Sequence, residues 1–201
     1  MIDGQGLGII KRPKTVFIDR DGVINRDSPC YIKRLDEFEF IPGSVEALCR
    51  LSVHGFSIIV ITNQSVIGRK MTSPSELDLI FETMKQTVAS HGGHITDIFF
   101  CPHTPEDNCQ CRKPATGMIM AAKDKHHIDL SDACMIGDSV KDILCARNAG
   151  LGSAILVKTG NGIRAKEILE SLEIYPDYVA DDLLDAANRI IETDFFIARH
   201  A

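Results

Sequence analysis

Two carboxylates, Asp19 and Asp21, stand at alternate positions where the apolar run Val16-Phe17-Ile18 gives way to Asp-Arg-Asp-Gly. Burying two such groups at the end of a strand is costly unless their charge serves a purpose, although the same four residues also suit a solvated turn. A second apolar run closes with Thr62-Asn63-Gln64-Ser65, a hydroxyl and amides able to hydrogen-bond an oxyanion or to make an ordinary turn. Lys113 precedes Pro114 and, taken alone, reads as a surface cation. A later run ends in Gly137-Asp138 with Asp142 four residues on, so both carboxylates fall near the start of a helix, where Asp138 could simply be the N-cap. The remaining constellation is Cys101-x-His103-x5-Cys109-x-Cys111. Four soft ligands so close together suit tetrahedral zinc in a closed, structural site, the alternative being free thiols on a loop. The other cysteines (Cys30, Cys49, Cys134, Cys145) are scattered and read as apolar packing.

The elements that must position these groups follow from hydrophobic patterning. Short β-rich runs alternate with helical ones, the pattern of a parallel sheet flanked by helices. Strands are expected at Thr15–Ile18, Ser57–Thr62, Asp97–Phe100, Ala133–Ile136, Ser153–Val157 and Tyr178–Ala180. Helices are expected at Gly43–His54, Ser73–His91, Gly117–His126, Val140–Ala149, Gly162–Leu172 and Asp181–Glu192. In the second helix Leu77, Ile80, Phe81, Met84 and Val88 form a core-facing stripe. Two segments, Asn25–Phe40 and Cys101–Ala115, exceed a minimal βα connection, and both follow strand C-termini, the edge at which open α/β sheets bind ligands.

Composition narrows the class. The 201 residues are 44% hydrophobic and 25% charged, a globular balance, and 28 acidic against 22 basic residues give a net charge of -6, which disfavours a nucleic-acid partner. The longest apolar runs, such as Ile58 to Ile61, are far short of the roughly 20 residues that span a bilayer, so no membrane partner is expected. The opening MIDGQGLGIIKRPK lacks the pattern of a secretory leader, and a cytoplasmic protein is expected. One domain over 1–201, acting as a monomer, is the simplest organisation.

The order DRDG, strand-terminal Thr-Asn, Lys, then GDxxxD, each after an apolar strand, resembles the haloacid dehalogenase superfamily of phosphotransferases from about Val16 to Asp142. The resemblance implies a Rossmann-like α/β sheet of strand order 5-4-1-2-3 with the site at the strand C-termini. It also implies roles. Asp19 would be the nucleophile, and Asp21 would protonate the leaving oxygen and then activate water against an aspartyl-phosphate, splitting a very slow hydrolysis into two steps. Magnesium would be held by Asp19, the backbone carbonyl of Asp21 and Asp138, with Thr62 and Lys113 on the phosphoryl oxygens and Asp142 orienting Lys113 or a magnesium-bound water. Magnesium would disfavour protonation of Asp19 while the neighbouring charge favours it at Asp21.

The CPH…CxCRKP element, together with these motifs, is similar to the branch of the superfamily that holds sugar bisphosphate and histidinol-phosphate phosphatases, over about Val16 to Gly160. In that branch the large cap is reduced to short loops, and a zinc-binding loop would stiffen the approach of Arg112 and Lys113 to the phosphate. Within that branch, FIDRDGVIN, the run Glu37-Phe38-Glu39-Phe40, ITNQSVIGR ending at Arg69, CRKPATGM and the Val157 to Gly160 turn resemble the members acting on heptose bisphosphate, and that resemblance implies heptose 1,7-bisphosphate as the substrate, losing its C7 phosphate. The phosphorylated sugar would meet Asp27, Tyr31, Asn63, Arg69 and Arg112, since guanidinium forks suit phosphate. Histidinol phosphate or another small ester, and a non-catalytic zinc-stabilised binding protein, are the alternatives. Two departures stand out: Val66 replaces a usual Gly, and Ser139 stands where a basic residue is usual, removing a cation beside the metal site. The 27–31 loop is also one residue longer than a common form.

Overall fold

In the computed structural model, which describes residues 15–192, six strands join one parallel sheet. They are β1 (Thr15–Ile18), β2 (Ser57–Asn63), β3 (Asp97–Cys101), β4 (Ala133–Gly137), β5 (Ser153–Val157) and β6 (Tyr178–Ala180). Seven helices accompany them: α1 (Ser44–Val53), α2 (Ser65–Gly68), α3 (Pro74–Ser90), α4 (Gly117–His126), α5 (Val140–Ala149), α6 (Gly162–Ser171) and α7 (Leu183–Glu192). The expected elements stand within two residues of their expected ends. The single turn α2 has no counterpart among the expected elements, because four residues carry no helical period to detect. The reading of the N-terminal leader falls on residues 1–14, outside the described residues.

The sheet order is β3-β2-β1-β4-β5-β6, the expected order with one further strand at the β5 edge. Period-2 alternation explains which helix covers which face. Val16 and Ile18 of β1, with Ile58 and Val60 of β2 and Ile136 of β4, pack against α1, α3 and α7 through Leu48, Met84 and Ala186. Phe17, Ile59, Ile61 and Met135 point the other way, against α4, α5 and α6 through Ile119, Ala146 and Leu169. Strands buried on both faces have no polar side to show, so they read as continuous apolar runs. Each fully buried Ile or Leu contributes on the order of 1.5–3 kcal/mol.

Local chemistry starts and stops the helices. Ser73 caps α3, its hydroxyl accepting from the Glu76 N–H at 3.1 Å, with Pro74 at the first helical position. At the start of α5, Ser139 and Asp142 form a capping box, and Gly150 ends the helix in the left-handed region. The order in which strands are added reverses between the parallel neighbours β1 and β4, and it is outside the carboxyl ends of such a strand pair that α/β sheets open a crevice. Among the described residues, residues 19–43 and 102–116 over this edge carry short 3-10 turns and two isolated bridges, with no cap domain.

Candidate active site

At the switch point β1 stops between its neighbours, and the Asp19 N–H extends the ladder by one bond, donating to the Ile136 carbonyl at 3.0 Å. The chain then turns sharply: the N–H groups of Ile24 and Asn25 both donate to the Arg20 carbonyl, at 2.8 and 3.2 Å. Gly22 permits this turn for two reasons. Its φ is +81°, and a Cβ there would lie 2.2 Å from Asp138 Oδ2. Gly160, in the turn after β5, is equally confined, since its Cβ would fall 2.2 Å from the same oxygen. The Thr159 hydroxyl donates to the Gly22 carbonyl at 2.6 Å, so the β5 turn is pinned onto the β1 turn.

Lys113 arrives from the segment before α4 and is 2% exposed. Its ammonium lies 2.8 Å from Asp19 Oδ1 and 2.6 Å from Asp142 Oδ1, and donates to the Ile61 carbonyl at 2.9 Å. Asp142 is fully buried, and its other oxygen accepts from the Ser139 N–H and hydroxyl at 3.0 and 2.7 Å. Ser139, not Asp138, is therefore the N-cap of α5, which leaves the Asp138 carboxylate to face the cleft. Asp138 Oδ2 accepts from the Asn161 backbone N–H at 2.8 Å.

The electrostatics of this floor are unbalanced. Oxygens of Asp19, Asp138 and Asp142 lie within 4.8 Å of one another, against the single ammonium of Lys113. Burial lifts Asp19, Lys113 draws it back, and Asp142 lifts it further, leaving its pKa at about 7. Burial followed by the charges of Asp19 and Asp142 raises Asp138 to about 8. Burial alone would push Lys113 down, but Asp142 and Asp19 outweigh it and hold the ammonium above its ordinary value. A divalent cation among these oxygens would supply the missing positive charge. The hard carboxylate set and its unmet charge fit magnesium, with Asp19 and Asp138 available and Asp142 already engaged.

Asp21 departs from expectation. Burial raises its pKa, but the Arg20 guanidinium, with hydrogen bonds from Asn25, Arg20 and Gln64, more than compensates and holds it below the ordinary value. Arg20 donates to Asp21 Oδ1 from Nε at 3.0 Å and to both oxygens from Nη2 at 2.6 and 2.8 Å. It is 1% exposed and lies over the Phe81 ring at 5.8 Å. Without the metal, then, the Arg20 guanidinium, which the expectation for Asp21 did not include, favours its carboxylate form. Arg20, Asn25 and Gln64 were passed over: polar residues beside a motif look like turn chemistry until the fold turns them onto one carboxylate. Gln64 also donates to the Thr62 hydroxyl oxygen at 2.8 Å, which leaves that hydroxyl its own proton to give.

Asp27, Tyr31, Asn63 and Arg112 line the same cleft of about 570 Å³, with Asp19, Asp21 and Asp138 in it. Asn63, expected to touch substrate, spends its amide on the Lys113 backbone: Oδ1 accepts from the N–H at 3.0 Å and Nδ2 donates to the carbonyl at 3.2 Å. Arg69 is not among the lining residues and sits at the rim, its guanidinium 6.0 Å over the Tyr31 ring and 4.0 Å from Glu106. Lys141 and Arg164, which sequence reading passed over, also line the cleft, at the starts of α5 and α6. Val66 is buried in α2.

Donor atoms of Cys101, His103, Cys109 and Cys111 lie within 4.8 Å of one another, a spread that one tetrahedral shell can hold. Their sulfurs are 3.1–3.5 Å apart and none is in a disulfide. Burial and hydrogen bonding from Cys111 raise Cys101 to about 12; at Cys109 burial is outweighed by hydrogen bonds from Cys111 and Cys101, and the thiol falls to about 7. Of the remaining cysteines Cys134 and Cys145 are buried and Cys49 half-buried, but Cys30 is exposed on the 27–31 loop and does not pack as expected. No helix among the described residues is long and apolar enough to cross a membrane.

Comparison with known proteins agrees with this geometry. A family model described as "HAD-hyrolase-like" matches residues 110–186. The chain is 42% identical over 167 residues to the D-glycero-beta-D-manno-heptose-1,7-bisphosphate 7-phosphatase of Pseudomonas aeruginosa, covering 82% of this chain and 93% of that protein. It is 35% identical over 187 residues to the Escherichia coli K12 protein of the same name, covering 90% and 95%. The crystal structure of D,D-heptose 1,7-bisphosphate phosphatase from B. bronchiseptica, complexed with magnesium and phosphate, superposes with a TM-score of 0.83 at 35% identity, over 89% of this chain and 98% of that one.

Proposed function

We infer the activity from family membership: this chain belongs to the haloacid dehalogenase-like hydrolases and, among them, to the heptose bisphosphate phosphatases. It is a phosphoric monoester hydrolase that removes the C7 phosphate of D-glycero-D-manno-heptose 1,7-bisphosphate. The observation that carries this reading is the Asp19–Lys113 contact of 2.8 Å beside Asp138 on the floor of a cleft. Neither histidinol phosphate nor a non-catalytic binding role is favoured.

In this reading Asp19 attacks phosphorus, and the sugar oxygen leaves with a proton from Asp21. Arg20 keeps Asp21 ionised in the resting site, but a phosphate dianion arriving beside it favours the protonated form. Having given up its proton, Asp21 takes one from the water that hydrolyses the aspartyl-phosphate, so one residue serves both steps. Lys113 and the Thr62 hydroxyl hold the non-bridging oxygens, and Asn63 and Asp142 fix Lys113 from its backbone and its ammonium. Asp19, the Asp21 carbonyl and Asp138 would hold magnesium, which would supply charge neutralisation at the phosphoryl group. Asp27, Tyr31 and Arg112 contact the sugar or its second phosphate from the cleft walls, with Arg69 at the rim. Cys101, His103, Cys109 and Cys111 would hold zinc, which would stiffen the loop that leads into Arg112 and Lys113.

Joining of the six strands in one sheet supports a single domain, and seven cysteines without a disulfide support a reducing, cytoplasmic setting, where we take the enzyme to act as a monomer. A phosphate-release panel with magnesium tests the substrate. Heptose 1,7-bisphosphate should give the highest kcat/KM, well above histidinol phosphate and simple monoesters, with the C7 phosphate lost first by phosphorus NMR. Preference for histidinol phosphate would overturn the substrate.

A further inference from the structure

Three cations stand on the cleft walls: Arg112, Lys141 and Arg164. Other basic side chains nearby are committed, Lys113 to Asp19 and Asp142, Lys158 to Asp181, Lys166 to Glu170 and Arg26 to Glu39. Arg112 donates to a backbone carbonyl, that of His103, at 3.2 Å. Lys141 and Arg164 are exposed and make no ion pair among the described residues.

Their places in the helices make this notable. Lys141 is the second residue of α5 and Arg164 the third of α6. A helix start carries partial positive charge from its unbonded N–H groups and disfavours cations there. The first turn of α6 has no acidic residue, and that of α5 has Asp142, whose oxygens are taken by Lys113 and Ser139. Carboxylates cap both helix starts, Asp142 at Ser139 of α5 and Asp138 at the Asn161 N–H of α6, yet neither pairs with Lys141 or Arg164, so two side-chain cations border one part of the cleft without an ion pair among the described residues. Ser139 is tied to Asp142 as the cap of α5, so a cation from this helix reaches the cleft two residues later.

We propose that Lys141 and Arg164 hold the non-reacting phosphate of a bisphosphorylated sugar while Asp19 attacks the other, and so determine the preference for bisphosphates over monoesters. This rests on the phosphatase reading above. Lys113 serves the reacting phosphate at the floor, so the second dianion needs cations elsewhere, and Arg112 alone supplies one charge against two.

The test is the double substitution Lys141→Ala with Arg164→Ala, assayed with heptose 1,7-bisphosphate and with heptose 7-phosphate at one magnesium concentration. The ratio of the two kcat/KM values should fall at least about tenfold, mainly through KM for the bisphosphate. Lys141→Arg with Arg164→Lys, which keeps both charges, should retain most of the ratio. Partial misfolding lowers both rates together and leaves the ratio alone, so a ratio that stays at its wild-type value overturns the proposal. Calorimetric binding of the bisphosphate to Asp19→Asn protein, with and without the double substitution, separates the two readings. If the wild type is a bisphosphate phosphatase and neither ratio nor binding changes, these cations are wrongly assigned. If the wild type cleaves no sugar phosphate yet the bisphosphate binds through Lys141 and Arg164, the site stands and the catalytic reading fails.

Discussion

The carboxylate floor and the thiol loop are both ligand clusters at the carboxyl edge of one sheet, yet they are assembled in opposite ways. Cys101, His103, Cys109 and Cys111 come from one short stretch, so the local turn and its capping box at Thr104 and Asp107 bring them together. The floor draws Asp19 from the end of β1, Thr62 from β2, Lys113 from the loop before α4, and Asp138 and Asp142 from the β4–α5 junction. Its geometry depends on the sheet register, and its charges are buried and unbalanced. Thiols can stay protonated without a metal, as Cys101 does. The carboxylates stay uncharged only by holding protons near neutral pH. The loop serves as scaffold and the floor as reagent, and each of the following experiments should act on one and spare the other.

The largest effect is expected on the floor. Asp19→Asn should lower kcat at least about a hundredfold, because it removes the nucleophile, while zinc content holds steady and the chain still melts cooperatively as a folded protein. Phosphate release, elemental analysis and a melting curve check all three. Residual activity above about one hundredth of wild type would break the covalent reading.

Proton linkage gives an effect of intermediate size. Asp19 and Asp138 are raised to about 7 and about 8 from 3.8, so the metal-free folded protein binds protons that the unfolded chain has released. The contribution of these two groups to stability should be fullest below about pH 4 and be lost as pH rises through 7 to 8. Magnesium competes with those same protons, so its affinity should rise at least about tenfold from pH 6 to pH 8. Magnesium titration followed by thermal shift at several pH values measures both trends. An affinity that stays flat across that window would show that these carboxylates do not bind the ion.

The smallest effect on turnover is expected from the loop. Cys109→Ser should lower zinc from about one ion per chain and lower the melting temperature, with kcat falling less than about tenfold. Metal analysis on protein purified without chelator reads the first, and absence of zinc in the wild type would remove the metal from this loop. A loss of kcat as large as that of Asp19→Asn would erase the distinction between scaffold and reagent.

How much could be read without coordinates follows the same division. The thiol loop was legible because its ligands are close in sequence. The strands were legible because burial on both faces leaves unbroken apolar runs, and the α3 stripe because one face of a long helix repeats several times. Asp19, Asp21, Lys113 and Asp138 were individually ambiguous, and their order along the chain made them readable through a resemblance. Arg20, Gln64 and Asn63 were not readable in their present parts, since nothing in the spacing says that a guanidinium folds back onto the next carboxylate, or that an amide on β2 grips a lysine 50 residues later.

The sequence by itself determined the alternation of strands and helices, the residue types available for chemistry and the soft ligand set of the loop, because these depend on local periodicity and composition. Tertiary structure alone decided which charges meet. Asp21 is held ionised by Arg20, Asp19 and Asp138 are raised by burial and by one another, and Lys141 and Arg164 reach the cleft from two different helices. A pKa or a binding preference depends on distance and solvent exclusion, and for residues far apart in the chain both are fixed only when the sheet closes its register.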